Sequence, residues 1–234
     1  MASKWPRPVK LLYRAVLRVH GLAVMNMGRI GSTSPISRNW GYDRGTPIDR
    51  YYIERFLAAH SKDVRGRVLE VQEDDYSRRF GGAEVTGRDI LNIDTSNPRA
   101  TIVGDLADPA TLPADTFDCI ILTQTLHLVF DMATALANIR RALRPGGVAL
   151  ITVPGITPVQ AGLGYDWYWS LTEDALRRLL GGAFDPAHVT VQTHGNLLAA
   201  TAFLHAAAVE EVSKRKLDRL DPSYPVTIAA RAVA

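Results

Sequence analysis

The chain has 234 residues, 47% of them apolar and 22% charged, with a formal net charge of +3. A chain of this length buries roughly 70% of the surface it exposes when unfolded, so it needs no metal or disulfide staple, and its composition excludes disorder, a coiled coil or a collagen-like repeat. The single cysteine, Cys119, cannot form an internal disulfide and lies in an apolar run, which points to a reducing cytoplasm; without clustered Cys/His spacing no metal site is expected.

The charge is unevenly spread. Lys4, Arg7, Lys10, Arg14, Arg18, Arg29 and Arg38 all precede the first acid, Asp43, leaving 20 basic against 24 acidic residues over 43–234. The body is mildly acidic, so the basic balance carries no argument for a nucleic-acid partner. The expected organisation is therefore a basic, helical N-terminal extension over 1–42 and a globular domain over 43–234. Within the extension, PVKLLYRAVLRVHGL (8–22) reads as a helix opened by Pro8, with Lys10, Arg14 and Arg18 on one side and Leu12, Ala15, Val16 and Val19 on another. Its apolar stretch is far short of the ~20 residues that span a bilayer, and its arginines interrupt any secretory apolar region. Docking on the body or on a second copy of the chain is favoured over a membrane-surface helix or a targeting or disordered leader.

From residue 46 helix and strand patterns alternate. Thr46 as N-cap, Pro47 at the first helical position and Asp49 in the first turn predict a helix over 47–60. Strands are expected at 67–71 (RVLEV), 90–94 (ILNID), 100–105 (ATIVGD) and 117–123 (FDCIILT). A helix over 132–143 stops at Arg144-Pro145-Gly146-Gly147 and leads into a strand at 148–154. Then follow a helix at 171–180 capped by Thr172 and ended by Gly181-Gly182, a strand at 188–193, a helix near 199–216 and a strand within 224–233. Nearly continuous apolar strands such as 117–123 are expected where both faces are covered. Alternating strands and helices predict a doubly wound, mostly parallel α/β sheet with helices on both faces.

In such sheets ligands bind beyond the carboxyl ends of the strands. The residues there include acids closing or ending the first three strands: Glu70, Asp94 and Asp105. VLEV (68–71), NID (92–94), GDLAD (104–108), TFDCIILTQTLHLV (116–129) and LRPGGVALITVPG (143–155) together resemble the class I S-adenosylmethionine-dependent methyltransferases. The resemblance covers roughly 46–234. It looks most like small bacterial enzymes of glycan or secondary-metabolite pathways, whose helical lead-in resembles GTPIDRYYIERFL (45–57).

That resemblance implies a seven-stranded Rossmann-like sheet and S-adenosylmethionine as cofactor. It implies Asp94 as acceptor of the ribose hydroxyls, Asp105 for the adenine amine with the Leu106 amide nearby, and Glu70, beside Val71 and Gln72, for the methionine ammonium. Thr123 and Gln124 would line the floor. Tyr51, with Tyr52 and Arg44, would cover the cofactor from the amino-terminal side, or pack in the core. His127 is the candidate base, against a loop histidine bonded to backbone; His194 and Asn196 are weaker candidates near the acceptor. The segment 155–170, with Tyr165 and Trp167, suits an acceptor wall or the underside of the following helix.

The family usually follows its first strand with a G-x-G turn. Here Gln72-Glu73-Asp74-Asp75-Tyr76 stands in its place. Its residues must avoid positive φ or carry strain, so either the loop takes another path and meets the cofactor with side chains, or the site is remodelled. The implied activity is methylation, favouring oxygen, of a small-molecule acceptor. The alternative is a methyltransferase-fold protein that does not methylate, either a cyclase or isomerase or a non-catalytic partner subunit.

Overall fold

A computed structural model describes residues 32–159 and 166–234. The basic helix expected over 8–22 and Tyr165 lie outside the described residues. The elements are α1 (Ile48–Ala59), β1 (Gly66–Val71), β2 (Val85–Asn92), β3 (Ile102–Val103), β4 (Phe117–Thr123), α2 (Met132–Ala142), β5 (Leu143–Pro154), α3 (Glu173–Leu180), β6 (Val189–His194), α4 (Leu197–Leu204), α5 (Lys214–Leu217) and β7 (Thr227–Val233). They form one seven-stranded sheet in the order β3-β2-β1-β4-β5-β7-β6. All pairs are parallel except those of β7, which runs antiparallel to β5 and β6. The strand order reverses between β1 and β4, so a crevice opens at their carboxyl ends.

β4 shows why the sheet is covered twice. Ile120 and Leu122 pack with Leu136 and Ile139 of α2 and Leu176 of α3. Cys119 and Ile121, pointing the other way, pack with Ile53, Phe56 and Leu57 of α1. A third apolar cluster joins Ile48 and Tyr52 of α1 to Ala199 and Phe203 of α4 and Leu217 of α5. Cys119 is a buried free thiol, and burial pushes its pKa up. Among the described residues no helix is long and apolar enough to cross a membrane.

Four local expectations are corrected. Thr46 does not cap α1: its amide and hydroxyl both go to the Glu210 carboxylate (2.9 and 3.0 Å), and the chain enters the helix through Pro47 without a side-chain cap. β2 starts at Val85 and ends at Asn92, because its register follows β1 from Gly66 to Val71. β5 starts at Leu143, which pairs with Phe117, so Arg144-Pro145-Gly146-Gly147 belongs to an irregular strand start rather than a loop. The helix near 199–216 is interrupted: Ala206 takes φ 55°, and Ala208 bridges to Pro47. That pairing is long-range, and helical periodicity carries no trace of it.

Candidate active site

A cleft of about 700 Å³ opens at the carboxyl ends of β1, β4 and β5, within the range of small-molecule sites. Its first wall is the turn after β1. Gln72 adopts φ 68°, donating its N–H to the Leu91 carbonyl (2.9 Å), while its own carbonyl accepts from Asn97 Nδ2 (2.6 Å). The glycine-free turn therefore keeps a left-handed residue at its start and carries strain of roughly 1–2 kcal/mol. Gln72→Gly should raise stability in urea unfolding by up to about 1 kcal/mol, since relief of this strain exceeds the added entropy of the unfolded chain. A lower midpoint would show the left-handed backbone to be unstrained.

Glu70 is buried, and its two oxygens accept the backbone N–H groups of Ser77 (2.6 Å) and Tyr76 (3.2 Å). Burial raises its pKa, and these bonds oppose the rise. Burial also works against the Asp74 carboxylate, yet ion pairs with Arg78 and Arg99 hold it below its ordinary range. Asp74 thus faces arginines, while Glu73 and Asp75 line the cleft.

The second wall is the end of β4. Gln124, at φ 49°, donates its N–H to the Thr152 carbonyl (2.8 Å), and its buried Oε1 has no partner. His127 sits in the single turn Leu126–Leu128, 2% exposed, its ring 4.3 Å from that of Trp167. Its carbonyl accepts from the N–H groups of Trp169 (3.2 Å) and Tyr168 (3.3 Å), which folds the 166–169 segment over it. Burial pushes the His127 pKa down to about 4, so the imidazole is neutral at neutral pH, and its Nδ1 has no partner among the described residues.

The cleft thus gathers Glu70, Val71, Gln72, Thr123, Gln124, His127 and Trp167. It does not gather Asp94, Asp105 or Leu106. Asp94 is exposed beyond β2, its Oδ1 accepting from Ser96 N–H (2.9 Å) and Asn92 Nδ2 (3.1 Å), bonds that hold its pKa down. Asp105 is exposed beyond β3, with Oδ1 bonded to Ala107 N–H (2.9 Å). Leu106 is buried, its carbonyl accepting from Asn138 Nδ2 (2.9 Å). Of the three acidic anchors, only Glu70 lines the cleft.

Tyr51 and His194 are displaced from the roles expected of them. Helical geometry turns Asp49, Arg50 and Glu54 toward the cleft, whereas the Tyr51 hydroxyl donates to Asp218 (2.6 Å). His194 stacks on Tyr52 (5.7 Å), half-buried against α1, with no partner for its Nε2 among the described residues. Trp40, Tyr42, Asp49, Arg50 and Phe203 line the cleft without having been foreseen. Trp40 and Tyr42 lie before the boundary expected at 43, in a segment held by the close approach of Gly41 to the carbonyls of Ala206 and Ala207 and by the bond from the Ile36 N–H to the His205 carbonyl (2.9 Å).

A family model described as a methyltransferase domain matches residues 38–208. Solved structures share the fold. A SAM-dependent methyltransferase from Archaeoglobus fulgidus is 11% identical, with TM-score 0.53 over 79% of this chain and 94% of that one. One from Mesorhizobium loti is 17% identical, with TM-score 0.50 over 76% and 95%. The [4+2]-cyclase SpnF is 15% identical, with TM-score 0.53 over 96% and 95%. No curated protein sequence matches the chain.

Proposed function

The chain belongs to the methyltransferase-domain family, and from that membership we propose that it moves the methyl group of S-adenosylmethionine to the oxygen of a small-molecule acceptor in a reducing cytoplasm. The cofactor supplies a methyl group already activated on a sulfonium. The lining suits such a cation: Glu70, Glu73 and Asp75 are acidic, and the cleft has room for a nucleoside. Among the described residues Asp94 and Asp105 each bond through Oδ1, leaving Oδ2 for ribose hydroxyls and an adenine amine reaching the ends of β2 and β3.

The observation that carries the reading is the neutral imidazole of His127 in the lining, whose Nδ1 has no partner among the described residues. A hydroxyl nucleophile must lose a proton as its oxygen attacks, and Nδ1 of His127 can take it. An amine can attack as its free base and needs no such group, which favours oxygen. Trp167 and the 166–169 backbone cover the imidazole and keep water from it.

Ligand-induced stabilisation tests the donor. At 100 times Kd, S-adenosylmethionine or S-adenosylhomocysteine should add about 2.7 kcal/mol, or roughly 5–10 °C in Tm. No shift with either ligand would remove the donor assignment. The likeness to a cyclase over nearly the whole chain supports a second reading, a fold that holds the cofactor without spending its methyl group. Stabilisation without formation of S-adenosylhomocysteine across an acceptor panel would favour it.

A further inference from the structure

A second groove, of about 400 Å³, shares no lining residue with the cleft. It is lined by Leu197 of α4, by Arg215 and Lys216 of α5, and by Arg219, Leu220 and Asp221 just beyond α5. Leu197 is 57% exposed and Leu220 62%; Leu204, at the other end of α4, is 44% exposed. Leu197, Thr201 and Leu204 recur at i, i+4 and i+7 and so share one face of α4. The Thr201 hydroxyl turns back to the Leu197 carbonyl (2.8 Å), which leaves that face largely apolar. A lone exposed leucine is ordinary, but three at one edge, rimmed by charge, mark a docking surface.

The bases at this edge have no counter-charge on the protein. Among the described residues the side chains of Lys214, Arg215, Lys216 and Arg219 are exposed and form no ion pair or hydrogen bond. Asp218 is taken by Arg55 and the Tyr51 hydroxyl, and Asp221 accepts the Ser223 N–H (3.1 Å). Residues 1–31 and 160–165 contain no Asp or Glu, so they supply no acid either.

Residues 1–31 join the fold at this same edge. The Ile36 N–H donates to the carbonyl of His205 (2.9 Å), the residue after Leu204. The segment 1–31 carries Lys4, Arg7, Lys10, Arg14, Arg18 and Arg29. Like charge opposes its seating on the bases of α5, and the same bases oppose each other where two copies would meet face to face. One kind of occupant suits the patch and the segment together: an extended anionic surface that also accepts hydrocarbon.

We infer that this edge of α4 and α5 docks on an anionic lipid bilayer. Leu197, Leu204 and Leu220 enter the acyl boundary, and the four bases meet the lipid phosphates. Flotation of the full chain tests this, with vesicles of phosphatidylcholine alone and with roughly one-third phosphatidylglycerol. Wild type should float with the mixed vesicles, not with phosphatidylcholine alone, and high salt should release it. Arg215→Gln/Lys216→Gln/Arg219→Gln should weaken binding about 10²-fold, and Leu197→Ser/Leu220→Ser roughly tenfold or more. Arg215→Lys/Arg219→Lys keeps the charge and should bind as wild type, which separates lost charge from local damage. No flotation, flotation unchanged in both weakened variants, or loss in one of them alone overturns the inference. A dimer in light scattering that Leu197→Ser/Leu220→Ser dissolves gives the face to a second copy instead. Polyglutamate bound as tightly as the mixed vesicles gives it to an acidic protein.

Discussion

His127→Ala is expected to lower turnover by about 10²–10⁴-fold while leaving S-adenosylmethionine affinity nearly unchanged, the effect of removing a positioned base. The imidazole is buried against Trp167 and has no hydrogen-bond partner on Nδ1 among the described residues, so its loss removes a proton acceptor and breaks no side-chain hydrogen bond there. Single-turnover rates with saturating cofactor would check this; an unchanged rate would take His127 out of the mechanism. The pH profile provides a second readout. Since burial lowers the free-enzyme pKa to about 4, kcat/KM should fall on the acid side near pH 4 rather than near 6.5.

The same shift couples to folding. In the unfolded chain His127 takes up a proton below about pH 6.5, whereas the folded protein resists until about 4. Its contribution is therefore fully present above pH 6.5 and is lost as the pH falls toward 4, by up to about 3 kcal/mol. His194, half-buried and also lowered by desolvation, acts in the same direction. The informative quantity is thus the difference in urea unfolding free energy between pH 7 and 4.5, compared for wild type and His127→Ala. A variant with the wild-type pH dependence would contradict the burial argument.

Phe117→Ala should cost about 3–5 kcal/mol of stability, by transfer of the ring and by the cavity it leaves. Phe117 is 0% exposed at the amino end of β4, pairs with Leu143 and has the Arg67 guanidinium 5.6 Å from its ring. It lies at the opposite end of β4 from Thr123 and Gln124, which line the cleft. Cofactor affinity of the folded fraction should therefore stay at the wild-type value while the urea midpoint falls sharply. A midpoint shift under 1 kcal/mol would mean that neighbours collapse into the space, as well-relaxing sites do.

How much of the site was legible from sequence depends on how local each feature is. Glu70, Gln72, Thr123, Gln124 and His127 lie at or just beyond the ends of apolar strands, so strand topology alone put them on one edge, and they do share one cleft. Asp94 and Asp105 were readable as strand-end acids, but their short-range turns with Ser96 and Ala107 fix Oδ1 outside that lining. Tyr51 and Arg50 are neighbours in one helix, and nothing in their spacing says which faces the cleft. The answer comes from α5, which supplies Asp218 to Tyr51, and from the turn after β1, which supplies Tyr76 to Arg50.

Nearly continuous apolar runs, crossover helices and the order of strand-end acids are written residue by residue, and from them the sequence by itself determined the α/β class, the parallel core and the edge that carries the site. Contacts between segments far apart in the chain decided the rest: the left-handed Gln72, the interruption at Ala206, the stacking of His194 on Tyr52 and the bonding of Arg50 to the Tyr42 and Tyr76 hydroxyls. The physical reason is that local patterns register which face of an element is apolar, whereas a backbone strain, a buried ring or a hydrogen bond between elements exists only once distant segments close around it.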